Sequence, residues 1–313
     1  MSTCYLPDVQ ANEPKIQIKL NRVGVSNVKK LITLFDNNEW VTLYPTFDLF
    51  VDLPSNRKGA NLSRNIEALD KVIEEYKNNK NNKFDHLCND IALQLLNIHE
   101  YSKTSEVSMK CEYVINQKSP SSKIDNQKFI NIFFTSKAYK KNNTFEVINL
   151  IGVEVVGMTA CPCAQSMMLD SSKNYLSKLG FNELMINNIL KGIPMATHNQ
   201  RGRGIVSIET KGDKYNINIK SMVELIDNSM SSTIYEVLKR TDEKIIVENA
   251  HKNPKFVEDC VRTMSEKIIS VFPDLSDESI ITIQQINEES IHNHNAYAEI
   301  IDSFGSIKNK INL

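Results

Sequence analysis

The sequence predicts an α+β chain in which two tandem ββααββ units set helices on one face of antiparallel sheet. Runs rich in β-branched and aromatic residues flank segments whose apolar residues recur every three or four positions. The order strand, helix, strand found in the first half returns in the second. The two halves share no repeated sequence, only this order. They are expected as units 1–143 and 144–313, the second holding a helical insertion at 164–192 and most of the polar motifs.

Residues 40–53, WVTLYPTFDLFVDL, read as a strand that ends on the turn cluster Pro54-Ser55-Asn56. From Leu62 the apolar residues Ile66, Leu69, Val72, Ile73 and Tyr76 keep helical spacing, and Phe84, Leu87, Cys88, Ile91 and Leu95 repeat it. Ser105–Ile115 and Lys128–Phe134 are strand-like, as are Phe145–Val156 and Gly204–Thr210. Between the last two lies a helical stretch, Ser166–Lys191, broken at Gly180 and closed by Gly192. Met222–Asn228 and Pro254–Val271 read as helices, with Pro254 in a first turn, and Ile280–Ile286 and Ala296–Ile301 read as strands.

Charge and composition exclude several classes. The 37 Lys and Arg against 38 Asp and Glu leave a net charge of −1, so no overall field favours nucleic acid or an anionic membrane. A 41% hydrophobic content is that of a folded globular chain. The apolar stretch Val147–Met158 is interrupted by Asn149 and Glu154 and is shorter than the ~20 residues that span a bilayer. The N-terminal residues lack the pattern of a secretory signal. Cysteines at 4, 88, 111, 161, 163 and 260 are too sparse for a disulfide framework, and a cytoplasmic location is expected. The Asn-Lys tracts at 76–83 and 140–143 read as solvated linkers.

Candidate chemistry concentrates in the second half. Thr159-Ala160-Cys161-Pro162-Cys163 ends a strand with two thiols which, in extended backbone, share one side. Free cysteines are often small buried hydrophobes, but Pro162 argues against a buried ladder position. One CxC pair cannot close a four-ligand zinc site, so a metal here needs His or carboxylate partners. His86 and His99 lie on or beside the first-half helices and read as ordinary surface or core histidines. His198 stands in a polar loop, Thr197-His198-Asn199-Gln200-Arg201-Gly202-Arg203, and His292 and His294 share one side of an extended segment. Imidazoles so placed serve as ligands or proton carriers. Glu243 lies in a charge-dense turn, and Glu258 lies off the apolar stripe of its helix; pattern alone puts both in solvent.

Taken together, LPDVQ (6–10), LNRVGV (20–25), FVDLPSNRKGANLSRN (50–65), TACPC (159–163), THNQRGR (197–203), LKRTDEK (238–244), NPKFVED (253–259) and SIHNHNAYAE (290–299) resemble the type IB GTP cyclohydrolases over nearly the whole chain. His198 stands 37 residues after Cys161, wider than the bacterial pattern, and this favours the archaeal branch. The resemblance implies the tunnelling fold (T-fold) and a homo-oligomeric barrel, a dimer or dimer of dimers, with active sites at subunit interfaces. It implies GTP as substrate, opening of the guanine imidazole ring at C8 with release of formate, and, in the archaeal branch, 7,8-dihydroneopterin 2′,3′-cyclic phosphate and pyrophosphate for methanopterin synthesis.

By motif match the resemblance makes Cys161, His198 and Glu243 metal ligands. Such a set suits zinc, manganese or iron, and the archaeal branch implies Fe(II). Glu258 is implied as the guanine anchor, His292 as the proton-transfer group with His294 second, and Cys163 as a neighbour of Cys161 or of substrate. Cations for the triphosphate are implied at Arg201, Arg203, Lys239, Arg240, Arg57 and Lys58. Competing readings are a related enzyme giving dihydroneopterin triphosphate, a queuosine-pathway nitrile reductase with a lone thiol nucleophile, and a non-enzymatic CxC metal-binding or redox protein.

Overall fold

From Asp125 to Lys141 side chains alternate between exposed and buried almost without a break, the period of a strand with one covered face. A computed structural model of the chain describes residues 8–36, 39–79, 84–142, 144–212 and 217–311. In chain order its elements are β1 (Leu20–Lys29), β2 (Ile32–Asp36), β3 (Glu39–Leu43), β4 (Thr46–Leu53), α1 (Ser63–Asn78), α2 (Leu87–Ile98), β5 (Thr104–Lys118), β6 (Asp125–Lys141) and β7 (Thr144–Ala160). They continue with α3 (Pro162–Lys178), α4 (Glu183–Gly192), β8 (Asn199–Lys211), α5 (Ile219–Asp227), α6 (Arg240–Lys252), α7 (Val257–Val271), β9 (Ile280–Asn287), β10 (Ala296–Ser303) and α8 (Phe304–Ile311).

Eight strands hydrogen-bond in the order β1-β4-β5-β6-β7-β8-β9-β10, and β2 and β3 form a separate ladder. The pairs β1/β4, β4/β5 and β9/β10 are antiparallel. The chain divides into two compact units that are not consecutive in sequence. One comprises Met1–Glu112, Ile132–Ile151 and Glu209–Asn216, the other Tyr113–Asn131, Gly152–Ile208 and Ile217–Leu313. The division at 143/144 falls between β6 and β7, each of which supplies residues to both units.

In the first unit, α1 buries Ala68, Leu69, Val72 and Tyr76, and α2 buries Leu87, Ile91, Leu95 and Leu96, the three-to-four spacing read from the sequence. The segment 40–53 is two strands. It breaks at Tyr44-Pro45, because proline has no N–H for the ladder; β3 pairs with β2, and β4 with β1 and β5. His99 is fully buried; its Nε2 meets Asn65 Oδ1 at 2.8 Å and its Nδ1 meets the Tyr101 hydroxyl at 2.7 Å. Since the Asn65 amide nitrogen donates to the Leu49 carbonyl, Asn65 Oδ1 accepts, and the His99 proton resides on Nε2. Burial, then Arg64 and Arg57, push this imidazole down to about 4.

In the second unit, α7 buries Cys260, Val261, Met264 and Ile268 and packs on β9, β10, α5 and α8. Pro254 precedes α7 instead of lying in its first turn. The helix starts at Val257, where the Asp259 carboxylate accepts the Phe256 amide at 3.1 Å. The helical insertion also starts earlier than expected, at Pro162, so Cys161 and Cys163 are helix-start residues and do not share one side of an extended strand end. Of α3 and α4 together only Ile186 is buried.

Candidate active site

The end of β7 is held from three sides. The Ala160 amide donates to Ser231 Oγ at 3.1 Å, and the Ala160 carbonyl accepts the Lys255 amide at 2.9 Å. The Cys161 amide donates to the His198 carbonyl at 3.0 Å, and Thr197 Oγ1 donates to the Cys161 carbonyl at 2.7 Å. Cys161 then leaves the strand as the N-cap of α3, its sulfur accepting the Ala164 amide at 3.5 Å. Pro162 suits the first helical position, where no N–H is needed. The sulfur therefore sits at the positive end of a 17-residue helix, and Cys163 is exposed in its first turn.

The His198 side chain is oriented by groups distant in sequence. Its Nδ1 lies 3.1 Å from Gln200 Oε1, 3.4 Å from Ser290 Oγ and 3.9 Å from Glu289 Oε2. Gln200 Nε2 donates to Glu289 Oε1 at 3.3 Å. The carboxylate thereby fixes the Gln200 amide with its oxygen toward His198, which calls for a proton on Nδ1 and leaves Nε2 with its lone pair. Gly202 follows because a β-carbon there would lie 2.6 Å from Nε2 of buried Gln285 and 3.1 Å from both Asn287 and Thr159.

The remaining expected residues divide between near and far. His292 and His294 are exposed in bends between β9 and β10, not in an extended segment, yet their rings stack at 5.2 Å. Ser290, which touches His198, begins the same loop. Glu258 is exposed at the start of α7 and lines a groove of about 390 Å³ with Arg262, Ser265, Glu299, Ile300 and Lys310. Arg201, Lys239 and Arg240 are exposed. Arg203 lies 3.7 Å from Glu154 and 3.6 Å from Glu288, so it is already engaged with carboxylates. Arg57 is likewise committed, donating to the Gly59 carbonyl and Asn61 and covering the Tyr101 ring.

For Glu243 it is the reading as a turn residue that is corrected. It is helical, in the first turn of α6, because Asp242 beside it is a buried anchor. Asp242 accepts the amides of Ser121, Ser122 and Lys239 and the Ser122 hydroxyl. Burial pushes its carboxyl up, but the hydroxyl and amide of Ser122 and the amides of Lys239 and Ser121 outweigh this and hold it well below the usual range. The opposite end of α6 reaches the site: His251 Nε2 lies 3.4 Å from the Thr197 carbonyl. Eight residues of helix, about 12 Å, separate Glu243 from His251.

A divalent cation is thus only partly provided for within one chain. Cys161 and His198 are neighbours, and the Nδ1 contacts of His198 are those of an imidazole whose Nε2 is presented to a metal. Among the described residues no three His, Cys, Asp or Glu side chains gather closely enough to hold an ion. The donor chemistry fits; the third donor does not come from the same cluster. Gln200 and Glu289 had no signal in the sequence beyond their place in polar motifs.

These features define an α+β, antiparallel-sheet protein with a cysteine and a histidine laddered together at a helix start. The same fold occurs in the crystal structure of uricase from Arthrobacter globiformis, at TM-score 0.50 and 6% identity over 90% of this chain and 93% of that one. Residues 6–298 match the family model described as Type I GTP cyclohydrolase folE2, and the chain belongs to that family. It is 52% identical to GTP cyclohydrolase MptA of Methanosarcina barkeri, covering 99% of this chain and 98% of the relative. It is 51% identical to GTP cyclohydrolase MptA of Methanococcoides burtonii, covering 97% and 96%.

Proposed function

We propose that this chain is a metal-dependent GTP cyclohydrolase that opens the guanine ring at C8, releases that carbon as formate, and yields 7,8-dihydroneopterin 2′,3′-cyclic phosphate and pyrophosphate for methanopterin synthesis. The observation that carries the reading is the Cys161–His198 ladder, within a chain 52% identical along its length to a GTP cyclohydrolase MptA. Incubation with GTP and Fe(II) without oxygen, followed by formate assay and product identification, tests it. No formate with iron, manganese or zinc would defeat it.

Cys161, His198 and Glu243 would hold the cation, Fe(II) by family, with Glu243 reaching the site at a subunit interface. When bound, such an ion supplies Lewis acidity that activates water. The Glu258 carboxylate accepts hydrogen bonds from guanine N1–H and the exocyclic amine, each contributing about 1.5–3 kcal/mol. His292, with His294 stacked on it, carries protons during ring opening. Arg201, Lys239 and Arg240 meet the triphosphate, and Arg203 does so by exchanging its carboxylate partners for phosphate. The reading includes a tunnelling-fold homo-oligomer of tandem ββααββ units in the cytoplasm. Loss of metal from both His198→Ala and Glu243→Ala after dialysis supports the ligand set; retention in both removes these residues from it.

A further inference from the structure

Residues 194–198, between α4 and β8, belong to no helix or strand and end on His198. Their backbone groups therefore need partners from other elements. Gln165, in the first turn of α3, is one such partner. Its Nε2 donates to the Met195 carbonyl at 3.1 Å and to the His251 carbonyl at 2.6 Å. Both amide hydrogens are thus used, and one side chain bridges two segments.

The three segments that meet at this amide are those that carry Cys161, His198 and Glu243. Gln165 stands about one helical turn after Cys161, and its own backbone amide bonds the Cys161 carbonyl at 3.3 Å. That carbonyl also accepts the Thr197 hydroxyl at 2.7 Å. Met195 precedes His198 by three positions, and His251 lies in the last turn of the helix whose first turn holds Glu243. The His251 ring turns toward the same segment, its Nε2 3.4 Å from the Thr197 carbonyl. Gln165 is only half-buried, so what it contributes here is a pair of donors more than volume.

We propose that Gln165 is a positioning residue for the cation site: its two donated hydrogen bonds hold the His198 segment and the end of α6 against the first turn of α3, and so fix how Cys161 and His198 face one another. Gln165 touches neither ion nor substrate and acts through Met195 and His251. The inference rests on the proposed metal-dependent function and adds a residue to it. Groups one step removed from a metal set its affinity by orienting the ligands.

Cobalt(II) titration of the full chain tests it, read by the thiolate-to-metal charge-transfer band that Cys161 ligation produces and by chelator competition. Q165M keeps the length of the side chain and loses both donors. Q165E keeps its shape and turns a carboxylate toward two carbonyl oxygens. Both should bind cobalt about 10–100-fold more weakly than the native chain, while the circular dichroism and urea midpoint of the metal-free protein change little. Native affinity in Q165M would overturn the proposal. So would loss of the fold in both Q165M and Q165A, which would make Gln165 a structural residue. A native chain that binds no cobalt, or a C161A chain that keeps the charge-transfer band, would sink the metal-dependent reading and this proposal with it; native binding with an indifferent Q165M sinks the proposal alone.

Discussion

Cys161 and His198 are hydrogen-bonded through their backbones at 3.0 Å although they stand 37 positions apart. The intervening excursion leaves the sheet after β7 and returns just before β8, so α3 and α4 can be long without separating the two residues' backbones. Backbone pairing sets this relationship more firmly than side-chain contact could.

Gln200 is a positioning residue for His198. Gln200→Ala removes the amide that holds Nδ1 and should weaken metal binding about 10–100-fold, measured by chelator competition on folded protein. Native affinity in the variant would show that His198 needs no such holder.

Glu258 should matter to substrate and not to metal. For Glu258→Gln, loss of charge-assisted bonds of about 1.5–3 kcal/mol predicts GTP binding weaker by about 10–100-fold. Calorimetry measures the affinity and elemental analysis the unchanged metal content; native GTP affinity would remove Glu258 from the guanine site.

The buried His99 predicts a pH effect with a definite sign. Its imidazole is held at about 4 in the fold, against 6.5 for the free group. The stabilisation is complete above about 6.5 and declines as pH falls from there toward 4, because the unfolded chain takes up the proton first. Urea titrations across that range should show the decline in the native protein and a flatter profile in His99→Gln. Equal slopes would mean that His99 is not held neutral.

Gly202→Ala should destabilise by about 1–3 kcal/mol through overpacking, since Gln285 Nε2 lies 2.6 Å from the added carbon and is itself bonded to Asn287. A denaturation midpoint equal to that of the native chain would show that Gln285 can move aside.

Much of the fold was legible because burial leaves a period. The stripe Leu69, Val72 and Tyr76 marks α1, and Val257 through Ile268 marks α7. What escaped lacks such a stripe. In α6 only Asp242, Ile246 and Ala250 are buried, and β1 has no buried residue, its Leu20, Val23, Val25 and Val28 being scattered among polar ones. At the site, Cys161 and His198 were legible as residue types in recognisable motifs. Glu289 was not, because its partner Gln200 lies 89 residues away and only the folded chain brings them together. Cys161 illustrates the reverse: read as a strand end, it is also a helix cap, since the proline that stops the ladder begins α3.

The double duty of the Cys161 sulfur carries a cost. Because the atom proposed as a metal donor also accepts the first-turn amide of α3, an oxidant or alkylating agent that consumes it also unfastens the helix. Chemical injury at that point becomes mechanical slack, so damaged molecules would announce themselves by a newly protease-sensitive hairpin.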